Sequence, residues 1–133
     1  MFGSFDISTS GMQAQRVRLD AIAMNLANIN TTRNAVGEPE AFRRLVTIFA
    51  EGADGPGTPG VRVEQIVRDE GPLRRVHQPQ HPDAGPDGYV SYPNVDMVTE
   101  NVDAIEAARA FEANVAAFEM AKSMLVSSLR LLA

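Results

Sequence analysis

The sequence predicts an α+β fold: a long helix at each end of the chain, the two packing as a coiled-coil-like pair, and a small antiparallel β insertion between them. Three observations carry this. Apolar residues near both ends recur at steps of three, four and seven, the period of a helix face. Residues 34–93 hold most of the prolines and glycines and break into short β-prone runs. The C-terminal helical pattern is too long for a compact domain of 133 residues to cover, so it needs a partner.

The first helix is expected from Asp6 to about Asn28. Apart from Gly11 this stretch has no helix breaker and is rich in Ala, Met, Leu, Gln and Arg, which favour helix. Met12, Leu19, Ile22, Leu26 and Ile29 form one stripe along it. Asn25 and Asn28 lie in an Asn-rich exit followed by Thr31 and Thr32. That exit reads either as an ordinary C-cap, using the left-handed conformation Asn tolerates, or as a hinge fixing how the chain leaves the helix.

The last helix is expected from Asp96, a plausible N-cap, to about Leu131, a length of roughly 54 Å at 1.5 Å per residue. Ala104, Ala108, Phe111, Val115, Phe118, Lys122, Leu125, Leu129 and Leu132 alternate steps of four and three, a heptad seam with one polar member. The N-terminal stripe is shorter, so the length around Phe118, Leu125, Leu129 and Leu132 is expected to meet another chain. Ala117, Met120, Met124 and Leu131 add a second apolar edge, which suits a multi-helix assembly.

The insertion reads as Phe42–Phe49, Val61–Val67, Leu73–His77 and Tyr89–Tyr92, joined into one antiparallel sheet of three or four strands. The domain plan is therefore a helical assembly unit made of residues 1–33 and 94–133, with a β-rich unit, 34–93, inserted in it. An exposed Gly/Pro loop is expected at 51–60.

Composition and motifs exclude several classes. The net charge is −5, positive in balance only before residue 34, and no basic stripe exists, so nucleic acid is not an expected partner. No apolar run approaches a membrane span, and no charged segment precedes an apolar one as in a cleaved secretion signal. There is no cysteine, no nucleophile elbow and no phosphate loop, so neither catalysis nor a cofactor is expected. His77 and His81 stand four apart, but Pro79 and Pro82 forbid the helix that would align them on a metal. A regulatory coiled-coil binding module remains an alternative, and a metal-dependent hydrolase a remote one.

Ser10-Gly11-Met12, Ala14-Gln15-Arg16 and Asn25-Leu26-Ala27-Asn28 resemble the N-terminal signature of flagellar rod and hook axial proteins. Ala108-Arg109-Ala110-Phe111-Glu112-Ala113-Asn114 and Ala121-Lys122-Ser123-Met124-Leu125 resemble their C-terminal signature. The stretch with Asp87, Gly88, Tyr89, Tyr92, Pro93 and Asn94 resembles the proximal-rod members of that family. The resemblance implies a structural subunit exported by the flagellar type III apparatus without a cleaved signal, and assembled in the periplasmic rod that transmits torque. It implies self-association, with other proximal-rod proteins and the basal-body adaptor as neighbours and no direct membrane insertion.

Overall fold

The structure, a computed structural model, describes residues 2–132, with side chains described over residues 3–131. Its elements run α1 (Phe2–Ala27), β1 (Leu45–Glu51), β2 (Val61–Arg68), β3 (Arg74–His77), β4 (Tyr89–Tyr92) and α2 (Met97–Leu132). This is the expected α+β order. The helices are antiparallel neighbours: Asn25 meets Glu100 at one end of the pair and Phe5 meets Phe118 at the other.

Helix α2 starts where its cap permits. Asp96 Oδ2 accepts the Thr99 N–H at 2.9 Å and the Thr99 hydroxyl at 2.7 Å, and Glu100 supplies negative charge to the first turn. These hydrogen bonds from Thr99 hold the Asp96 carboxyl below its ordinary range. The exit from α1 differs from expectation. No described residue other than glycine has positive φ, so Asn28 does not adopt a left-handed cap. Its side-chain amide donates instead to the Met24 carbonyl at 2.9 Å, and Thr31 donates to Asn28 Oδ1 at 3.1 Å.

The insertion is not one sheet. It forms two separate antiparallel ribbons, β1–β2 and β3–β4. Between β2 and β3 the Asp69 N–H still reaches the Arg44 carbonyl at 2.8 Å, and side chains take the next carbonyls: Arg43 donates to those of Asp69 and Gly71, and Asn94 to that of Asp69. Pro72 follows without an N–H to offer.

In the first ribbon Leu45 pairs with Arg68, and a bulge at Ile48/Phe49 leaves Phe49 opposite Val63. Its loop spans 52–60, closed by Gly52 N–H to Gly60 O at 2.8 Å. The loop base rests on α1, where Ser10 Oγ accepts the Val61 N–H at 3.2 Å. Gly60 has φ +104 and lies so close to Ser10 that a β-carbon would collide with its hydroxyl. In the second ribbon Arg74 pairs with Tyr92 and His77 with Tyr89.

The core is thin and made of small side chains: Ala14, Ala21, Ile22, Val90, Val95, Ala107 and Ala121. The chain exposes 8884 Å². A compact monomer of this mass exposes about 6,800 Å². The excess reflects helices that project beyond what the chain covers.

Candidate assembly interface

Three elements meet at the end of the helix pair that carries the insertion, and the meeting is polar. Asn25 Oδ1 accepts the Leu45 N–H at 2.7 Å, and Asn25 Nδ2 donates to the Leu45 carbonyl at 2.9 Å and to Glu100 Oε2 at 3.1 Å. One residue earlier, Asn94 Oδ1 accepts the Arg44 N–H at 2.9 Å. Two asparagines from opposite ends of the chain thus fix the first strand through its backbone.

Glu100 is fully buried. The Arg44 guanidinium pairs with it and donates to Asp103 Oδ2 at 2.9 Å. Partial burial of Arg44 opposes its charge. The hydrogen bond and attraction from Glu100, then Asp103 and Asp69, outweigh that cost and raise its pKa. Arg18 on α1 completes the cluster, 3.6 Å from Asp103 and 3.5 Å from Glu106.

Along the pair, the α2 side turned to α1 runs Glu100, Ala104, Ala107, Phe111, Asn114, Phe118, Ala121 and Leu125, every one buried or half-buried. Of the predicted seam, Ala104, Phe111, Phe118 and Leu125 lie on this face. Ala108 and Val115 flank it, half-buried, and Lys122 and Leu129 stand exposed. The side chain of Leu132 lies outside the described residues. Phe118 finds a partner within the chain, the Phe5 ring edge-on at 4.9 Å between centroids, contrary to the expectation that it needs another chain. On α1, Ile22 is buried while Met12, Leu19 and Leu26 are half-buried, as is Ile29 in the turn beyond its end. The face toward α2 is more polar than that stripe and includes Gly11, Arg18 and Asn25.

The remaining motif residues shape the second ribbon. Gly88, at φ +75, lets the loop close by Gln78 N–H to Gly88 O at 2.9 Å. Asp87 accepts the Tyr89 N–H at 3.3 Å and pairs with Arg75; these interactions, that backbone hydrogen bond first, hold its carboxyl below the ordinary range. Arg75 also lies over the Tyr89 ring, and Arg74 over the Tyr92 ring. The Tyr92 hydroxyl donates to Gln78 Oε1 at 2.8 Å, and Pro93 is buried beside it in sequence. His77 stacks on Tyr89 at 5.0 Å, and His81 accepts the Asp83 N–H at 3.1 Å. Among the described residues no group of three or more His, Asp or Glu is placed to hold a metal.

On the far side of α2, away from α1, a second apolar stripe is open. Val98, Val102 and Ile105, and then Ala116, Met120 and Leu131, lie along it at helical spacing in two groups separated by exposed Arg109 and Glu112, with Met124 at the margin. Val102 is 59% exposed, Ile105 56% and Met120 61%. Met120, Met124 and Leu131 belong to the second edge read from the sequence, and Ala117 is exposed near it. Val98, Val102 and Ile105 extend it to the start of the helix. Their spacing was visible in the sequence, but the longer heptad seam beside them drew the pattern. Nothing local in the sequence marks Arg44 or Glu100, because their pairing joins residues more than fifty positions apart. No described helix is long and apolar enough to cross a membrane.

Comparison with known proteins decides what these faces belong to. Residues 5–33 match the family model described as flagella basal body rod protein, and residues 87–131 match the C-terminal model of the flagellar basal body rod FlgEFG proteins. The chain is 39% identical to the flagellar basal-body rod protein FlgC of Borreliella burgdorferi, over 99% of this chain and 97% of that one. The chain belongs to the FlgC family. Identity to FlgC of Bacillus subtilis is 37% over 98% of this chain and 97% of the relative, and to FlgC of Yersinia enterocolitica 41% over 96% and 94%. As a FlgC-family member it is a structural subunit of the flagellar basal-body rod. The family matches cover α1 with its Asn-rich exit, and α2 with the turn that precedes it.

Proposed function

We propose that the chain builds the rod by packing its two terminal helices against copies of itself and other rod subunits, and so helps to transmit torque. The observation that carries this reading is the open stripe Val98–Val102–Ile105–Met120 on a helix whose opposite face is already occupied by α1. A helix packed on one side that carries open apolar clusters on the other packs in layers, and such clusters are association surfaces. The excess exposed area, on the order of 2,000 Å², is more than twice the roughly 800 Å² that each partner buries in a standard interface, enough for contacts with more than one neighbour. In this reading residues 1–33 and 94–133 form the assembly unit, the seam residues Leu125 and Leu129 meet neighbouring subunits, and 34–93 is the inserted unit. Export by the flagellar type III apparatus, a periplasmic position and contact with the basal-body adaptor complete the proposal. A photo-crosslinking residue at Val102 or Met120 in isolated basal bodies tests it. Crosslinks to a second copy or to another rod subunit are expected. A subunit present in the rod but uncrosslinked from this face contradicts it.

A further inference from the structure

The α1–α2 contact has an unusual composition for a helix pair. Phe5 on Phe118 supplies its large apolar contact at one end. Phe111 and Leu125 repeat the large position of Phe118 one heptad to either side, and most facing positions between are small or polar: Ser8, Gly11 and Arg18 on α1, Ala107, Asn114 and Ala121 on α2. Small residues spaced by heptads allow one helix to slide along the other, because each step brings similar surfaces together. Something else must choose the alignment.

Besides the ion pairs of Arg18 with Asp103 and Glu106, two contacts distinguish one alignment from the next. The Asn114 side chain fills the space over Gly11, so closely that a β-carbon on Gly11 would stand 2.7 Å from its Oδ1. At the other end, Asn25 donates to the fully buried Glu100. Gly11 and Asn25 are two heptads apart, and so are Glu100 and Asn114. Both contacts therefore select the same alignment.

We propose that Gly11/Asn114 and Asn25/Glu100 set the register of the helix pair, with Arg44 making the second contact conditional on β1 being docked. A slide of one heptad in one direction puts Asn25 opposite Ala107 and Asn114 opposite Arg18. In the other direction Asn25 runs past the start of α2 and Asn114 meets Ser4. Either slide removes Glu100 from Asn25, and only in the observed alignment do Asn25, Arg44 and Glu100 converge. A buried polar residue that fixes register at some cost in stability is the best-attested use of such groups. The displacement avoided is about 10.5 Å along the axis. An error of that size would carry the outer stripe of α2 away from its place relative to β1 and β2. The inference concerns alignment within one chain and does not depend on what the outer stripe binds.

The chain has no cysteine, so introduced pairs report alignment cleanly. Phe5→Cys with Phe118→Cys reads the observed register under a short rigid bis-maleimide. Phe5→Cys with Phe111→Cys or with Leu125→Cys reads a slide of one heptad in either direction. In the otherwise unchanged protein the 5–118 product should exceed the other two by about tenfold. Adding Asn25→Leu, Glu100→Leu and Asn114→Ala should raise a slid product to a yield comparable with 5–118, while far-ultraviolet circular dichroism retains its helical signal. A 5–118 preference undiminished in that variant overturns the proposal, as do equal yields of all three pairs in the parent. Should the triple variant lose its helical signal, Asn114→Ala alone decides. It leaves Glu100 and Arg44 paired and must raise a slid product several-fold, and an unchanged distribution overturns the proposal.

Discussion

The side chain of Asn25 pairs with the backbone of Leu45 as a neighbouring strand would, accepting its N–H at 2.7 Å and donating to its carbonyl at 2.9 Å. A helix residue thereby completes the edge of a strand. The remaining amide hydrogen reaches Glu100, so one side chain joins α1, β1 and α2. An isosteric carboxylate cannot do this, because it has no hydrogen to donate and repels Glu100.

Asn25→Asp is therefore expected to destabilise the fold by about 2–4 kcal/mol at neutral pH, through lost donors and a like-charge pair next to a buried carboxylate. Part of the loss should return on acidification to about pH 4, where one carboxyl can take a proton. Urea unfolding at the two pH values measures this. Equal losses at both would remove the repulsion from the account.

Arg44→Met should be more damaging than Glu100→Leu. The first leaves a buried carboxylate without its cation, at about 3–5 kcal/mol, whereas the second leaves Arg44 paired with Asp103. In a double-mutant cycle the combined variant should lose clearly less than the sum of the two. Additive losses would show that the pair is not coupled.

The helices were legible because each repeats its signal over several turns: Phe111, Phe118 and Leu125 mark the packed face of α2 by spacing alone. The strand Tyr89–Tyr92 was legible as well, bounded by the Gly88 turn and Pro93. Splitting of the insertion into two ribbons was not, since the connection between β2 and β3 is held by Arg43 and Asn94, each about 25 positions away in the chain. Offset of the packed face by one position was hidden for a related reason. Asn114 and Glu100 look solvent-facing by type, and only Gly11, Asn25 and Arg44 on other elements make them interior.

Gly60→Ala should cost more stability than Gly57→Ala. Both positions have positive φ, which alone costs about 1 kcal/mol for a side chain. Only at Gly60 does the new methyl group also strike Ser10, whereas Gly57 has open space around it. Thermal melts of the two variants compare them directly. Equal shifts would mean that the loop base does not rest on α1 as described.

Acid should weaken the anchorage of the segment after α1. Hydrogen bonds from Arg33 and then Thr32 hold the Asp83 carboxyl below its ordinary range. A group whose pKa is depressed on folding stabilises the fold above its unfolded value and loses that contribution as pH falls through the folded value. The loss should therefore fall below about pH 4. Asp83→Asn should flatten the dependence of stability on pH there and change it little between pH 6 and pH 8, by urea titration across that range. An undiminished slope below pH 4 would assign acid sensitivity to other carboxylates.

Val102→Glu with Met120→Glu, made together in the flagellated cell, place two charges on the open side of α2. Both side chains are exposed in the single chain, so the variant should melt within about 1 kcal/mol of the parent. The variant subunit should be made and exported in normal amount, be missing from isolated basal bodies, and leave the cells non-motile. Motile cells whose basal bodies contain the variant at the normal level would contradict assembly through this face of α2.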